Sequence, residues 1–377
     1  MRFSIVIPVL VLLALRTTQA QGADSLTKAP QVAPPDTAPR VTFGAFVDSY
    51  YAWDNNQPRN FDRPYTTQPA RHAEFNINLA YVEAKLAAPR YRGRLALQFG
   101  TSVQANYAGE PKIGRISGPS VSQYLQEATV GYRLHPTLWV DGGIFFAHTG
   151  YEGWISRDNL TYSRSLIADF SPYYQAGVKL TWAPSASLTA QLDVVNGWET
   201  ISNYNTPPAV GIRVDWIATP ALTLSYDNFV GNVAPDSAPG QVRAFHEVIA
   251  QYNPSARWQL AVAADLGTQS RSTPTGGTAV WYGASAIAKY HVNAVFAMAG
   301  RVENFADTDR AIVVTTLPDP FQAMSASIGL DVTPVSRVQW RTEFRGFHSP
   351  HPVWPESRAG RLSHNDSFAV TSLSLTF

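Results

Sequence analysis

Apolar and polar residues alternate along sixteen separate runs between Val41 and Phe377, and no other feature limits the possible folds of this chain as strongly. A period of two residues is typical of β-strands, because successive side chains of a strand point to opposite faces of the sheet. Each run is close to the ~10 residues with which a tilted strand crosses a bilayer. The runs cover residues 41–53, 74–87, 91–105, 121–134, 137–148, 172–182, 187–196, 208–217, 221–230, 241–252, 257–267, 278–290, 294–305, 319–332, 336–346 and 366–377.

The segments that connect the runs are short and long in strict alternation. The short ones are tight turns, and six of the seven contain proline: Pro89, Pro136, Pro184, Pro220, Pro254 and Pro334. Outer-membrane barrels have short turns at the periplasmic end and long loops at the outer end. A soluble sandwich has no reason to sort its loops in this way, and a propeller would show a four-strand repeat. The sequence therefore predicts an all-β fold, a transmembrane antiparallel up-and-down β-barrel of about sixteen strands.

Aromatic residues support this prediction, because many of them lie beside the short turns and on the apolar face of their strands. They are Tyr91, Tyr132, Trp182, Trp216, Tyr252, Trp258, Tyr290 and Trp340. Rings with one polar end favour the boundary between lipid tails and headgroups. Core aromatics of a soluble protein would instead be scattered along the strands. We expect these residues to form an outer belt.

Composition excludes several classes of function. Charged residues make up only 15% of the chain, whereas soluble domains carry about 25%. The net charge of +1 lacks the basic excess of a nucleic-acid-binding protein. The chain has no cysteine, which excludes a disulfide scaffold and a thiolate metal site.

The N-terminal part predicts export. Residues 1–20 have the three-part pattern of a cleaved signal peptide, with an apolar centre at Ile5–Leu15 that is short for a membrane anchor. Residues 21–40 are rich in proline and polar residues, which predicts a flexible linker. The barrel is then expected to span residues 41–377.

The C-terminal part carries a second signal. Leu373, Leu375 and Phe377 alternate with polar residues, and the chain ends on phenylalanine. This ending resembles the signal by which the barrel-assembly machinery recognises outer-membrane proteins of Gram-negative bacteria. The resemblance implies that Phe377 contacts this machinery and that the protein lies in outer-membrane lipid.

The face opposite the apolar one is polar and in places highly charged. Six candidate pore-lining residues come from two strand runs: Arg337, Arg341, Glu343 and Arg345, and Arg301 and Glu303. Unpaired charges in a dry core cost several kcal/mol each. We therefore expect a water-filled lumen on this face.

The long segment 149–171 is a candidate constriction loop. It carries five charged residues, Glu152, Arg157, Asp158, Arg164 and Asp169. If the loop folds inward, these charges and the arginines of the wall would set a transverse field on passing solutes. In the alternative interpretation, Asp158 caps a turn and the charges form local salt bridges.

Several segments together resemble the OmpL-like family of outer-membrane β-barrel porins. They are GAFVDSYYAW at Gly44–Trp53, GYE at Gly150–Glu152, DNLTYSRS at Asp158–Ser165, PYYQAGV at Pro172–Val178, DVVNGWE at Asp193–Glu199, WYGASAIAKY at Trp281–Tyr290 and AGRVENFAD at Ala299–Asp307. The resemblance covers essentially the whole barrel. It implies an outer-membrane channel for small solutes, without established functional residues.

The sequence contains no hydrolase, phosphate-loop or nucleotide-binding motif, so no catalytic or cofactor-binding residue is predicted. One loop carries His348, His351, Glu356 and His364. These are metal-ligand types, but their spacing is not a tight motif and solvated histidines are the expected interpretation. No metal is predicted.

We therefore expect a porin that lets small hydrophilic solutes diffuse passively, and not an enzyme. Two other functions stay open: a non-conducting surface or structural barrel of the adhesin kind, and an outer-membrane lipid hydrolase. A homo-oligomer is compatible with the sequence, but no flat apolar contact face identifies it.

Overall fold

Sixteen antiparallel strands close into one barrel, and two further strands form a small hairpin. The strands are β1 (Arg40–Asp54), β2 (Phe75–Ala87), β3 (Tyr91–Phe99), β4 (Leu125–His135), β5 (Leu138–Phe146), β6 (Tyr174–Ser185), β7 (Leu188–Val195), β8 (Ala209–Thr219), β9 (Leu222–Asn232), β10 (Val242–Ser255), β11 (Trp258–Ser270), β12 (Thr278–His291), β13 (Phe296–Asp307), β14 (Phe321–Val335), β15 (Val338–His348), β16 (Trp354–Pro355), β17 (Leu362–Ser363) and β18 (Asn365–Thr376). Each barrel strand pairs with its neighbours along the chain, β15 pairs with β18, and β18 pairs with β1 to close the barrel. The predicted fold class is thus confirmed.

This computed structural model describes residues 38–271, 276–316, 319–358 and 360–377. The predicted signal peptide and most of the predicted linker, up to residue 37, lie outside the described residues. The helices are short: α1 (Thr101–Asn106), α2 (Pro119–Ser122), α3 (Leu166–Asp169), and 3-10 turns at Tyr107–Gly109 and Ser156–Asp158. No helix in the described part of the chain is long and apolar enough to cross a membrane.

Two predicted strands are shorter in the structure than in the sequence pattern. The run 91–105 ends at Phe99, and residues 101–106 form α1 instead. Gly100 causes this break: its φ is +138°, and a Cβ at this position would lie 2.3 Å from the carbonyl oxygen of Asn78. The run 121–134 begins only at Leu125, because α2 occupies the residues before it. Alternating polarity alone did not reveal these helical turns.

Three of the predicted proline turns lie within strands. Pro184, Pro254 and Pro334 are in the last residues of β6, β10 and β14, and the tight turns follow them. The strand register shifts at each of these positions. Proline has no N–H to donate, so an irregular strand end accommodates it where a regular ladder would not.

A bulge in β2 explains why apolar and charged residues share one phase in the run 74–87. Asp48 pairs with Leu79 and Ser49 pairs with Ile77, so Asn78 has no opposite residue on β1. One extra residue turns the following side chains to the other face. Glu83 therefore faces the interior although it shares its phase with the outward-facing Phe75.

The belt of aromatic residues faces outward. Seven of the eight predicted members are large exposed side chains: Tyr91, Tyr132, Trp182, Trp216, Tyr252, Trp258 and Trp340. They surround the short-turn end of the barrel, as the sequence predicted. In their described residues, the long loops join the strands at the other end. The loops are L1 (55–74), L2 (100–124), L3 (147–173), L4 (196–208), L5 (233–241), L6 (described at 271 and 276–277), L7 (described at 308–316 and 319–320) and L8 (described at 349–358 and 360–364).

The outward face yields a stability prediction. Val262 lies near the middle of β11 and points outward, whereas Gln191 of β7 is half-buried and points inward. Val262→Arg should cost about 2–4 kcal/mol of unfolding free energy, because it places a charge in the lipid. Gln191→Arg should cost much less, since water can reach that side. Urea unfolding in lipid vesicles measures both values, and equal costs would contradict the assignment of the two faces.

Candidate functional site

L3 enters the lumen from the long-loop end and reaches the short-turn end. At its tip, Arg157 donates hydrogen bonds to Thr376 Oγ1 at 2.6 Å, to the carbonyl oxygen of Arg337 at 3.3 Å and to that of Ser336. Ser336 and Arg337 form the tight turn between β14 and β15. L3 therefore crosses the whole lumen.

The descending arm of L3, residues 147–156, is held against β7, β8 and β9. Nε2 of His148 lies 2.6 Å from the carbonyl oxygen of Asn228, and the imidazole occupies the space beside Gly211. A Cβ at Gly211 would lie 2.2 Å from that ring. Arg213 donates to the carbonyl oxygen of His148 at 2.9 Å. This arm is thus fixed to the wall by its main chain and by one buried histidine.

The ascending arm, residues 158–173, lies against β13 and β15. Arg341 donates to the carbonyl oxygens of Asn159 at 3.2 Å and Leu160 at 2.9 Å, and also to that of Ser156 at the end of the descending arm. Arg345 donates to the carbonyl oxygen of Arg164 at 2.8 Å. These arginines recognise the main chain of L3, so its path is fixed largely by backbone contacts.

Acidic residues of the same wall bind the N–H groups of this arm. Glu343 accepts hydrogen bonds from the N–H and the hydroxyl of Ser163, at 2.7 and 2.8 Å. Glu303 accepts from the N–H of Leu166 at 2.6 Å. Arg301 donates to the carbonyl oxygen of Ser163 at 2.7 Å and lies 3.2 Å from Glu303. We call Arg301, Glu303, Arg341, Glu343 and Arg345 the charged ladder.

The charged ladder contains five of the six candidate pore-lining residues, and all five face the interior. The sixth, Arg337, lies in an exposed turn. The expectation of a water-filled lumen on this face is wrong for this state, because L3 covers the ladder and leaves Arg345 fully buried. Mutual pairing and hydrogen bonds to L3 offset the cost of removing these charges from water. The loop and the ladder are thus in contact, with no gap between them.

The constriction-loop candidates take different positions in L3. Glu152 accepts from the N–H of Ser165 at 2.8 Å and lies 3.5 Å from Arg301. Asp169 accepts from the hydroxyl of Thr67 at 2.5 Å. The remaining three are Arg157 and Asp158, both in the 3-10 turn at the tip, and Arg164, which lies 3.6 Å from Asp169. Some charged residues of L3 therefore contact the barrel wall, while others pair with each other inside the loop.

A ring of inward-facing aromatics closes the long-loop half of the lumen, and sequence reasoning missed it. Its members come from eight strands: Phe145, Phe229, Phe245, Trp281, Phe305, Phe321, Phe347 and Phe368. They pack around Tyr162, Leu166 and Ile167 of L3 and form a dry core. A signal was present, because these aromatics share the polar phase of their strands beside long loops.

L4 completes this closure. Its Trp198 meets the rings of Phe229 and Phe245 edge to face, with centroids 5.0 and 5.1 Å apart. The neighbouring Glu199 accepts a hydrogen bond from the N–H of Tyr173 at 3.0 Å. Burial raises the pKa of Glu199 to about 8, although this hydrogen bond opposes the shift. L4 is therefore tied to the base of L3.

The short-turn half of the lumen is different, because charged side chains there stay partly exposed. Side-chain exposure is 52% for Lys85, 33% for Arg92 and 17% for Arg94. Lys179 lies 4.6 Å from the ring of Phe145, where this open part meets the aromatic ring. We call the open part the vestibule. Sequence analysis did not select these residues.

Two histidines, at the end of β15 and in L8, make ordinary hydrogen bonds. Nδ1 of His348 lies 2.8 Å from Asn365 Oδ1, and Nδ1 of His364 lies 3.1 Å from the carbonyl oxygen of Ser349. Within the part of the chain that the structure describes, no three or more His, Cys, Asp or Glu residues are grouped to hold a metal ion.

Comparison with known proteins agrees with this architecture. Residues 40–377 match the model of a family described as "Putative beta-barrel porin-2, OmpL-like". No match was found among curated protein sequences.

Solved structures of similar fold are outer-membrane proteins. The anion-selective porin from Comamonas acidovorans has 10% identity and a TM-score of 0.58, over 90% of this chain and 100% of that one. The outer membrane channel DcaP of Acinetobacter baumannii has 10% identity and a TM-score of 0.59, over 90% and 97%. OmpT of Vibrio cholerae, in a trimer form, has 8% identity and a TM-score of 0.53, over 90% and 100%. At these identities the likeness shows the fold alone.

Proposed function

The chain belongs to the OmpL-like β-barrel porin family and lies in the outer membrane, and from this premise we propose that it conducts small hydrophilic anions in preference to cations. The short-turn end is then periplasmic and the long-loop end faces the cell exterior. The vestibule is the periplasmic part of the solute path.

The observation that carries this proposal is the unequal exposure of the paired charges in the vestibule. Arg92 donates to Asp141 at 2.7 Å, but its side chain is 33% exposed whereas that of Asp141 is only 5% exposed. Lys85 is more exposed than its partner Glu83 in the same way. Asp215 is an exception, since it is more exposed than Arg213. On balance the cations lie nearer to water, which raises the local concentration of anions.

The test is conductance in planar bilayers with purified full-length protein. We expect ion channels whose reversal potential under a KCl gradient indicates chloride preference. Absence of channels in all preparations would contradict the porin function. A reversal potential that indicates potassium preference would contradict the anion preference alone.

The closed outer half favours one alternative, a non-conducting surface barrel. In this function the aromatic ring and L3 would serve as a permanent core. Liposome swelling distinguishes the two, because only a conducting barrel admits small sugars. We also propose that the protein is not an enzyme, which hydrolysis of micellar lipid by the purified protein would contradict.

We further propose two partners. Phe377 has an exposed side chain at the open end of the last strand, where barrel-assembly machinery could bind it. A homo-oligomer is the second proposed partner, since one similar structure is a trimer. Mass measurement in detergent tests the oligomer, and the assembly yield of Phe377→Ala tests the first contact.

A further inference from the structure

We infer that L3 is a displaceable plug, and that the charged ladder lines the pore only after L3 has moved. This inference rests on the proposed porin function. L3 fills the middle of the lumen, where the space between L3 and β10–β12 has a volume of only about 10 Å³. A space of this size holds about one water molecule. Solutes therefore cannot pass between L3 and β10–β12 while L3 is in place.

The strands cannot supply the required movement. Every strand of the barrel is hydrogen-bonded to two neighbours, so a local opening of the wall would break several ladder bonds. L3 is covalently joined to the barrel only at Phe146 and Tyr174, and its main chain is otherwise held by side chains of the wall rather than by ladder bonds. L3 is thus the part of the lumen that can move without breaking the barrel.

The contacts between L3 and the ladder are of a kind that water can replace. They include hydrogen bonds to main-chain groups such as the carbonyl oxygen of Arg164 and the N–H of Leu166. The hydroxyl of Ser163 and the carboxylate of Glu152 add two polar side-chain contacts. Water can replace such a bond with one of its own, so the net cost of the exchange is smaller than the cost of leaving either group unpaired. After release, three arginines and two glutamates would face the lumen with their partners in water.

Arg157 fixes the tip of L3 to the barrel, and we call it the latch. It is the residue of L3 that binds the periplasmic turn, through the carbonyl oxygens of Ser336 and Arg337, and it also binds Thr376. It is half-buried, whereas the ladder is fully buried. Release of L3 is therefore expected to begin at this tip.

The absence of native cysteine allows a direct test by a disulfide lock. Ser156 Oγ of L3 donates to Asp48 Oδ2 of β1 at 2.7 Å, and both side chains are short. Oxidation of Ser156→Cys/Asp48→Cys should lower bilayer conductance at least tenfold, and reductant should restore it. The matched control is Ser225→Cys/Asp215→Cys, because that pair joins β8 to β9 at 2.6 Å and does not involve L3. Oxidation of the control should change conductance less than twofold.

If the Ser156→Cys/Asp48→Cys variant conducts equally well oxidised and reduced, L3 is not a displaceable plug, but the porin function stands. If the wild type and both reduced variants show no conductance, the porin function and the plug are both overturned.

A second measurement does not depend on conduction. Ser325 lies behind L3 and is buried against Arg345. Ser325→Cys should react with a charged thiol reagent at least tenfold faster when Arg157→Ala is added. An unchanged rate in a correctly assembled barrel would overturn the role of the latch.

Discussion

Arg345→Ala is expected to lower the free energy of unfolding by about 3–5 kcal/mol, because it removes one partner of a buried charge network. The guanidinium contacts Glu303, the hydroxyl of Ser325 and the carbonyl oxygen of Arg164. All of these groups are buried and would lose a partner at once. The expected measurement is urea unfolding in vesicles, followed by the slower gel migration of the unfolded barrel.

Arg361→Ala is the matched control for this prediction. Arg361 pairs with Glu356 in L8 at 3.3 Å, but its side chain is 59% exposed. Exposed ion pairs contribute only about 0–1 kcal/mol, since water and salt screen them. Similar losses for Arg345→Ala and Arg361→Ala would mean that the ladder is already solvated and does not hold L3.

The same variant connects stability to conduction. Without Arg345, the ascending arm of L3 keeps its contacts to Arg301, Arg341 and Glu343 but loses its hydrogen bond at Arg164. We expect the arm to leave the wall more often and the channel to open more often. Greater conductance together with lower stability would indicate that the two properties share one cause.

The fold could be predicted from the sequence because the barrel imposes one simple constraint along the whole chain. Every strand needs an apolar face towards lipid, so the same alternation of apolar and polar residues recurs in each of the sixteen strands. Trp258 and Val262 show it in β11. The bulge at Asn78 could be predicted for the same reason, since it is a visible break in that repeat. The end of β3 could not, because Gly100 acts through a close contact with Asn78 of another strand.

The contents of the lumen could not be predicted by the same means. Alternation tells which side chains face inward, but it does not tell whether water or a loop meets them there. The tip contact joins Arg157 to Arg337, which is 180 residues away in the sequence. Likewise, the sequence singled out the ladder and the loop separately, and only the structure places them in contact. Phe229, a member of the ring of inward-facing aromatics, could have indicated the closure. An aromatic side chain on the polar phase of a strand implies an apolar partner inside the barrel.

Removing Lys85 and Lys179 together is expected to shift selectivity towards cations. A unit charge in water contributes about 0.5 kcal/mol at a distance of about 8 Å, which is a factor of about two in local ion concentration. Each charge raises the local concentration of anions and lowers that of cations by this factor, so two such charges should change the anion-to-cation ratio by about twentyfold at low salt. The variant Lys85→Gln/Lys179→Gln leaves the paired Arg92 in place, so Asp141 keeps its partner. Glu83 likewise keeps Arg94.

The control removes the same charge from outside the vestibule. Arg90 and Arg257 lie in tight turns at the periplasmic end, and both are exposed. Arg90→Gln/Arg257→Gln should leave the reversal potential within experimental error, because charges farther from the path than about 8–10 Å are screened by salt. If the two double variants shift the reversal potential equally, net charge alone sets selectivity. If neither shifts it while both conduct, the selective step lies beyond the vestibule, along the charged ladder that L3 uncovers.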